Sequence, residues 1–253
     1  MKLRASHPGG PHRRRIEPGT LHKLLTRNAE LRDVFRGEPE LARRLKDLQT
    51  WQSRRLLRTH KDLHDDPRYR QAVDFFIGEL YGSGDPRARD RDLLKVERMM
   101  DRLLPPDALA ALCLAIELEV LSQELDADLV RALPEGPITD DGYADAYRSV
   151  GRRTDRNRQI DLMHRIGEYL EGVVRKPIVR ALVHLARGPA HAAGFGGLQD
   201  FLERGLVAFE NMGGAEQFLA AIRDRERQAM EGLFASRAVP LDAQPGEDRG
   251  SAA

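Results

Sequence analysis

The chain has 253 residues, 41 Lys and Arg against 40 Asp and Glu, a 41% hydrophobic share and one cysteine. Length and apolar share suffice for a real hydrophobic core and exclude wholesale disorder, and a single cysteine excludes a disulfide scaffold or an all-cysteine zinc site. The longest apolar run, residues 108–116, is nine residues long, far below the roughly 20 that cross a bilayer. The basic N-terminus MKLRASHPGGPHRRR leads into no apolar stretch, so no secretory signal is expected and a soluble, cytoplasmic protein is.

Residues 1–20 carry Lys2, Arg4, Arg13, Arg14 and Arg15 against Glu17, with prolines and glycines between them. This pattern has neither helical nor strand period and predicts a flexible basic arm. Residues 21–234 read as one helical domain. The tail 235–253, small, polar and punctuated by Pro and Gly, reads as disordered.

Inside the domain Leu41, Leu45, Leu48 and Leu56 recur at helical spacing, in a stretch from Pro39 to Asp66 without internal Gly or Pro. Asp66-Pro67 supplies a cap and a first-turn proline for the next helix, RYRQAVDFFIGELY. Asp85-Pro86 repeats the device for a helix to about Leu104, and Pro105-Pro106-Asp107 opens another to about Leu133. Thr139 caps a short helix ending at Val150. A long helix is expected over 152–187, kinked at Pro177. Gly188-Pro189 and Gly194-Phe195-Gly196-Gly197 mark a connection, and two helices follow, 198–212 and 215–234. No stretch shows the alternation a sheet needs. The expected fold is all-α, a single multi-helix domain of eight or nine helices with a long Pro-kinked helix.

Residues 105–130 hold Asp107, Glu117, Glu119, Glu124, Asp126 and Asp128 and no base, while residues 152–180 hold eight bases against four acids. The first of these helices is apolar on nearly every side, which marks a central helix. Glu117 lies among Cys113, Leu114, Val120 and Leu121, and a buried carboxylate requires a partner. Arg152, Arg153, Arg156 and Gln159 are the expected ones. Two meanings stay open: an internal ion-pair seam, or a polar pocket whose arginines grip an anionic ligand.

No Walker lysine, nucleophile-elbow serine, His-Glu-x-x-His or Cys-x-x-Cys occurs. His60 and His64 share a helix face at metal-binding spacing without a third ligand, and no metal site is expected. Asp140, Asp141 and Asp145, in DDGYAD, suggest the one enzymatic alternative. Helical isoprenoid synthases hold Mg²⁺ against diphosphate with paired aspartates, and Asp141 and Asp145 would then be catalytic. Acids in the first turn of a helix are also what its dipole favours.

The segment FFIGELYGSGDPRARDRD, starting at Phe75, resembles the FFLEELY-motif proteins, an uncharacterised proteobacterial family. Phe75, Phe76, Glu79, Leu80, Tyr81, Gly82, Asp85, Arg89, Asp90 and Asp92 match; Ile77 and Gly78 depart from the family's Leu and Glu. RTHKDL, GRRTDRNRQIDL, LQDFLERG and FENMGG also look like that family's pattern. The resemblance implies an all-helical fold and brings no activity.

The expectation is thus a non-enzymatic, cytoplasmic protein that binds a partner protein or a small anionic ligand, without a cofactor. The alternatives are a Mg-dependent lyase or transferase acting on a diphosphate, and a nucleic-acid-associated protein acting through the basic arm. The folded part has neither the basic excess nor the stacking aromatics that nucleic acid requires.

Overall fold

The computed structural model describes Glu17 and residues 19–81, 106–194 and 196–235, with the backbone alone for Arg36, Glu79, Leu80, Tyr81 and Leu198. These residues form ten helices and no strand, a single all-α domain: α1 (Thr20–Gly37), α2 (Pro39–Thr59), α3 (Lys61–Asp65), α4 (Arg70–Tyr81), α5 (Pro106–Ala132), α6 (Asp140–Val150), α7 (Arg153–Val174), α8 (Pro177–Ala192), α9 (Gly196–Asn211) and α10 (Glu216–Phe234). Nearly all of the arm and tail, and the helix expected over 85–104, lie outside the described residues.

Two prolines behave differently from the expectation. Pro177 does not kink a long helix; it starts a new one. Lys176 before it is extended, with φ −92° and ψ 109°, because the proline ring crowds the preceding residue out of the helical region. Pro189, expected in a connection, lies inside α8. It occupies an exposed position, where the carbonyl it leaves unpaired meets water. Thr139 caps α6 as expected, its hydroxyl accepting from the Gly142 amide at 3.1 Å.

The acid-rich α5 is the central helix, packed against α1, α2, α6 and α7. Leu114, Leu118, Leu121 and Leu125 face Leu162 and Ile166 of α7, and Cys113 and Ile116 face Leu21 and Leu25 of α1. Two further apolar clusters form the ends of the domain. One gathers Leu41, Leu45 and Leu48 with Tyr143, Tyr147, Met230 and Leu233, and Trp51 stacks on Tyr143 with centroids 4.2 Å apart. The other gathers Tyr69, Val73, Phe209, Met212, Phe218 and Leu219, with Phe75 and Phe76 against it.

Two backbone positions explain how close the helices come. At Gly167 a Cβ would lie 2.7 Å from Leu219 Cδ1, so glycine lets the Leu219 side chain of α10 rest directly on α7. Between α6 and α7, Gly151 and Arg152 both have positive φ, 67° and 54°, and Arg152 is left-handed. A non-glycine residue adopts that conformation only when something holds it. Arg152 is held by Asp155 at 2.7 Å and Asp128 at 2.8 Å.

Candidate functional site

A cavity of about 970 Å³ runs between the two apolar ends of the domain. Its walls are mostly apolar, and polar side chains of α2, α5, α7 and α10 line it together with His60, between α2 and α3. Gln52 of α2 donates to Asp126 Oδ1 of α5 at 3.0 Å. Gln159 of α7 donates to the Ser122 hydroxyl of α5 at 2.8 Å. Arg55 of α2 donates through Nη1 to both carboxylate oxygens of Glu226 on α10, at 2.6 and 2.7 Å. His60 Nε2 lies 2.9 Å from the same carboxylate.

Arg156 of α7 is the unusual member. It is only 5% exposed, and it lines the cavity. Its guanidinium carbon lies 4.6 Å from the centroid of the Tyr147 ring of α6, a cation–π contact. Nη1 donates to Gln159 Oε1 at 3.3 Å. Nε and Nη2 have no hydrogen-bond partner among the described residues. These two nitrogens form the side-on edge of the guanidinium, the edge that grips a carboxylate with two parallel bonds. Buried donors without acceptors are rare in folded proteins.

The interior charges sort into a satisfied pair and an unsatisfied cation. Burial alone would push the Glu226 carboxyl up, but Arg55 and His60 beside it overcome this and hold it down at about 2. Asp126 goes the other way. Burial pushes its carboxyl up, and neither the Gln52 hydrogen bond nor the Arg156 charge reverses this. Glu226 is therefore an anion neutralised by its own partners, and Asp126 resists ionisation. Among the described residues, no carboxylate is in hydrogen-bond or ion-pair contact with Arg156.

The predicted site residues divide. Arg156 and Gln159 are in the cavity wall. Glu117 meets neither of them, nor Arg152 or Arg153. It pairs with Arg158, whose Nε donates to Glu117 Oε1 at 2.9 Å, and the Arg158 side chain is 59% exposed. The reason is helical phase: Glu117 and Asp126 leave α5 in different directions, and Asp126 is the one turned inward. Arg152 anchors the α6–α7 corner, and Arg153 pairs with Glu231 at the surface with its guanidinium 5.2 Å from the Phe234 ring centroid.

Asp141 and Asp145 are exposed on α6, Asp145 pairs with Arg148, and neither lines the cavity. His60 and His64 separate, His60 inward to Glu226 and His64 outward to Asp74 at 3.0 Å. No group of three or more His, Cys, Asp or Glu fit to hold a metal occurs among the described residues, and no helix there is long and apolar enough to cross a membrane. Of the motif residues, Phe75 packs on Phe201 at 5.5 Å and Phe76 on Phe209 and Phe218 at 5.8 and 5.9 Å. The side chains of Glu79 and Tyr81, and all of Asp85 and Asp90, lie outside the described residues.

Sequence reasoning missed Gln52, Asp126 and Glu226. Each had a signal: a polar residue standing on an apolar stripe. Gln52 continues Leu41, Leu45 and Leu48, and Glu226 stands between Leu219, Ile222 and Met230, Leu233 at helical spacing.

Among known proteins, no curated protein and no solved structure matches the chain. A family model described as Domain of unknown function (DUF8198) matches residues 32–240, a span that includes every helix from the second half of α1 to α10 and the whole cavity wall. The chain belongs to the DUF8198 family.

Proposed function

We propose that this protein binds a small amphipathic anion in its central cavity, with Arg156 holding the charged group and Gln159 beside it. One observation carries the reading: a buried arginine in a cavity wall with its bidentate edge bare. A concave, mainly apolar cavity with a few convergent polar groups is the usual form of a small-molecule site. Arg55, His60 and Glu226 are the packed frame beside it. Glu117, Arg152 and Arg153 belong to surface ion pairs and not to the site. The reading places the protein among binding proteins of the cytoplasm, and within DUF8198 we take its kin to be the FFLEELY-motif proteins.

The test uses 1-anilinonaphthalene-8-sulfonate, an apolar body with one anionic group, and the single tryptophan, Trp51, which stacks on the cavity residue Tyr143. The expected outcome is saturable binding with a change in Trp51 fluorescence. Arg156→Gln should weaken it about tenfold or more, the effect of losing a charge-assisted bidentate contact. Absence of saturable binding, or equal binding by the variant, would overturn the proposal.

A second reading adds a protein partner. Ile178, Leu182 and Leu185 of α8 are 68%, 54% and 76% exposed, at the spacing of one helix face. The simplest partner is a second copy, since two-fold pairing is the commonest assembly of soluble chains. Sedimentation velocity should then show a dimer that Leu185→Glu dissociates. A wild type that stays monomeric at high concentration removes this reading.

A further inference from the structure

Resting on the cavity reading above, we infer that the ligand is a monocarboxylate with an extended apolar chain: head at Arg156, tail toward Phe75, Phe201 and Val183. The head follows from the charges. Glu226 is already neutralised by Arg55 and His60, so Arg156 is the cation with a free edge, and that edge accepts one planar pair of oxygens. A single carboxylate matches it in charge and shape. A phosphate or diphosphate dianion would bring surplus negative charge into a cavity that Glu226 and Asp126 also line, with no further buried and bare guanidinium edge among the described residues to balance it.

The tail follows from where aliphatic side chains dominate the wall. Past Gln159 and Arg156 the wall passes along Met163, Ile166 and Leu170 of α7 to Val174, and it continues to Val179 and Val183 of α8. Phe75 and Phe201 close the same end, and Phe75 fits there because position 205 is glycine: a Cβ on Gly205 would lie 2.9 Å from the Phe75 ring. Asp200 and Arg204 line the cavity near Phe201, but the stretch between is dominated by aliphatic side chains, which favours a chain over a compact polar body.

The experiment displaces the naphthalene probe with alkanoates of eight to sixteen carbons, and with dodecan-1-ol and dodecyl phosphate. Affinity should rise about fourfold per methylene until the chain fills the end. Dodecanoate should bind at least tenfold tighter than dodecan-1-ol in the wild type and equally in Arg156→Gln. Val183→Trp, a substitution on the peripheral α8, should stop the gain at a shorter chain than in the wild type. Dodecyl phosphate binding tighter than dodecanoate, affinity independent of chain length, or alkanoates that leave the probe bound would each overturn the monocarboxylate and leave the amphipathic-anion reading standing. Failure of the probe itself to bind would remove both.

Discussion

The surface between α5 and α7 and the interior a few residues away use the same charged residue types to opposite effect. On the surface, Glu117 pairs with Arg158, and Arg152 with Asp128 and Asp155; every partner keeps contact with water. Inside, Glu226 and Arg55 are 8% and 12% exposed, and Arg156 lines the same cavity without a full set of acceptors. Water forgives the surface pairs, because it replaces whatever a partner loses. In the interior nothing replaces it, so each charge there is either locked to a partner or available to a ligand.

Removing the locked partner should have the largest effect. Glu226→Gln removes the carboxylate that Arg55 and His60 share, and breaking a buried ion pair costs about 3–5 kcal/mol. Urea unfolding should show a lower midpoint with an unchanged slope. A midpoint within error of wild type would mean that Arg55 reaches water, and the contrast between interior and surface would collapse.

The pH dependence sharpens the same contrast. Glu226 is held at about 2, below its ordinary value of 4.5, so its contribution is complete above about pH 4.5 and drains away as pH falls toward 2. Asp126 is raised, so the fold favours its neutral form. Its contribution is present at low pH and is lost as pH rises through its folded value. Thermal melts should therefore show an acid limb that Glu226→Gln flattens. Asp126→Asn should leave the melting temperature at pH 8 unchanged or higher. A clear drop would show that ionised Asp126 serves as the counter-ion of Arg156, and the free edge proposed for the ligand would be occupied.

These interior residues also mark what the sequence made legible. The all-α class was readable because helical period, Pro-initiated first turns and the Thr139 cap are local signals. The centrality of α5 was readable from its apolar circumference. Pro177 was misread as a kink, since a proline that starts a helix and one that bends it look alike without the conformation of the residue before it. Arg156 and Gln159 were named for the right helix but for the wrong partner. Their real neighbours, Tyr147 for Arg156 and Ser122 for Gln159, come from α6 and α5, and no local pattern says which residues of those helices meet. Complementary charge counts on two helices identify neighbours in space; they do not say which charge turns inward, because 100° of helical phase separates adjacent residues.

The smallest expected effect falls where the charge counts pointed first. Glu117 meets Arg158 across the α5–α7 boundary, but the Arg158 side chain is 59% exposed and Glu117 is 27% exposed, so neither is stranded when the other is removed. A pair of this kind contributes about 0–1 kcal/mol, against the roughly 3–5 kcal/mol of a buried one. Glu117→Ala should accordingly shift the urea midpoint little, and added salt should erase most of the shift by screening. Glu117→Gln should be indistinguishable from the alanine variant, because water serves Arg158 as well as an amide does. A loss of several kcal/mol from Glu117→Ala would place Arg158 among the locked interior charges, and α5 would then carry two buried acid stations instead of the one at Asp126.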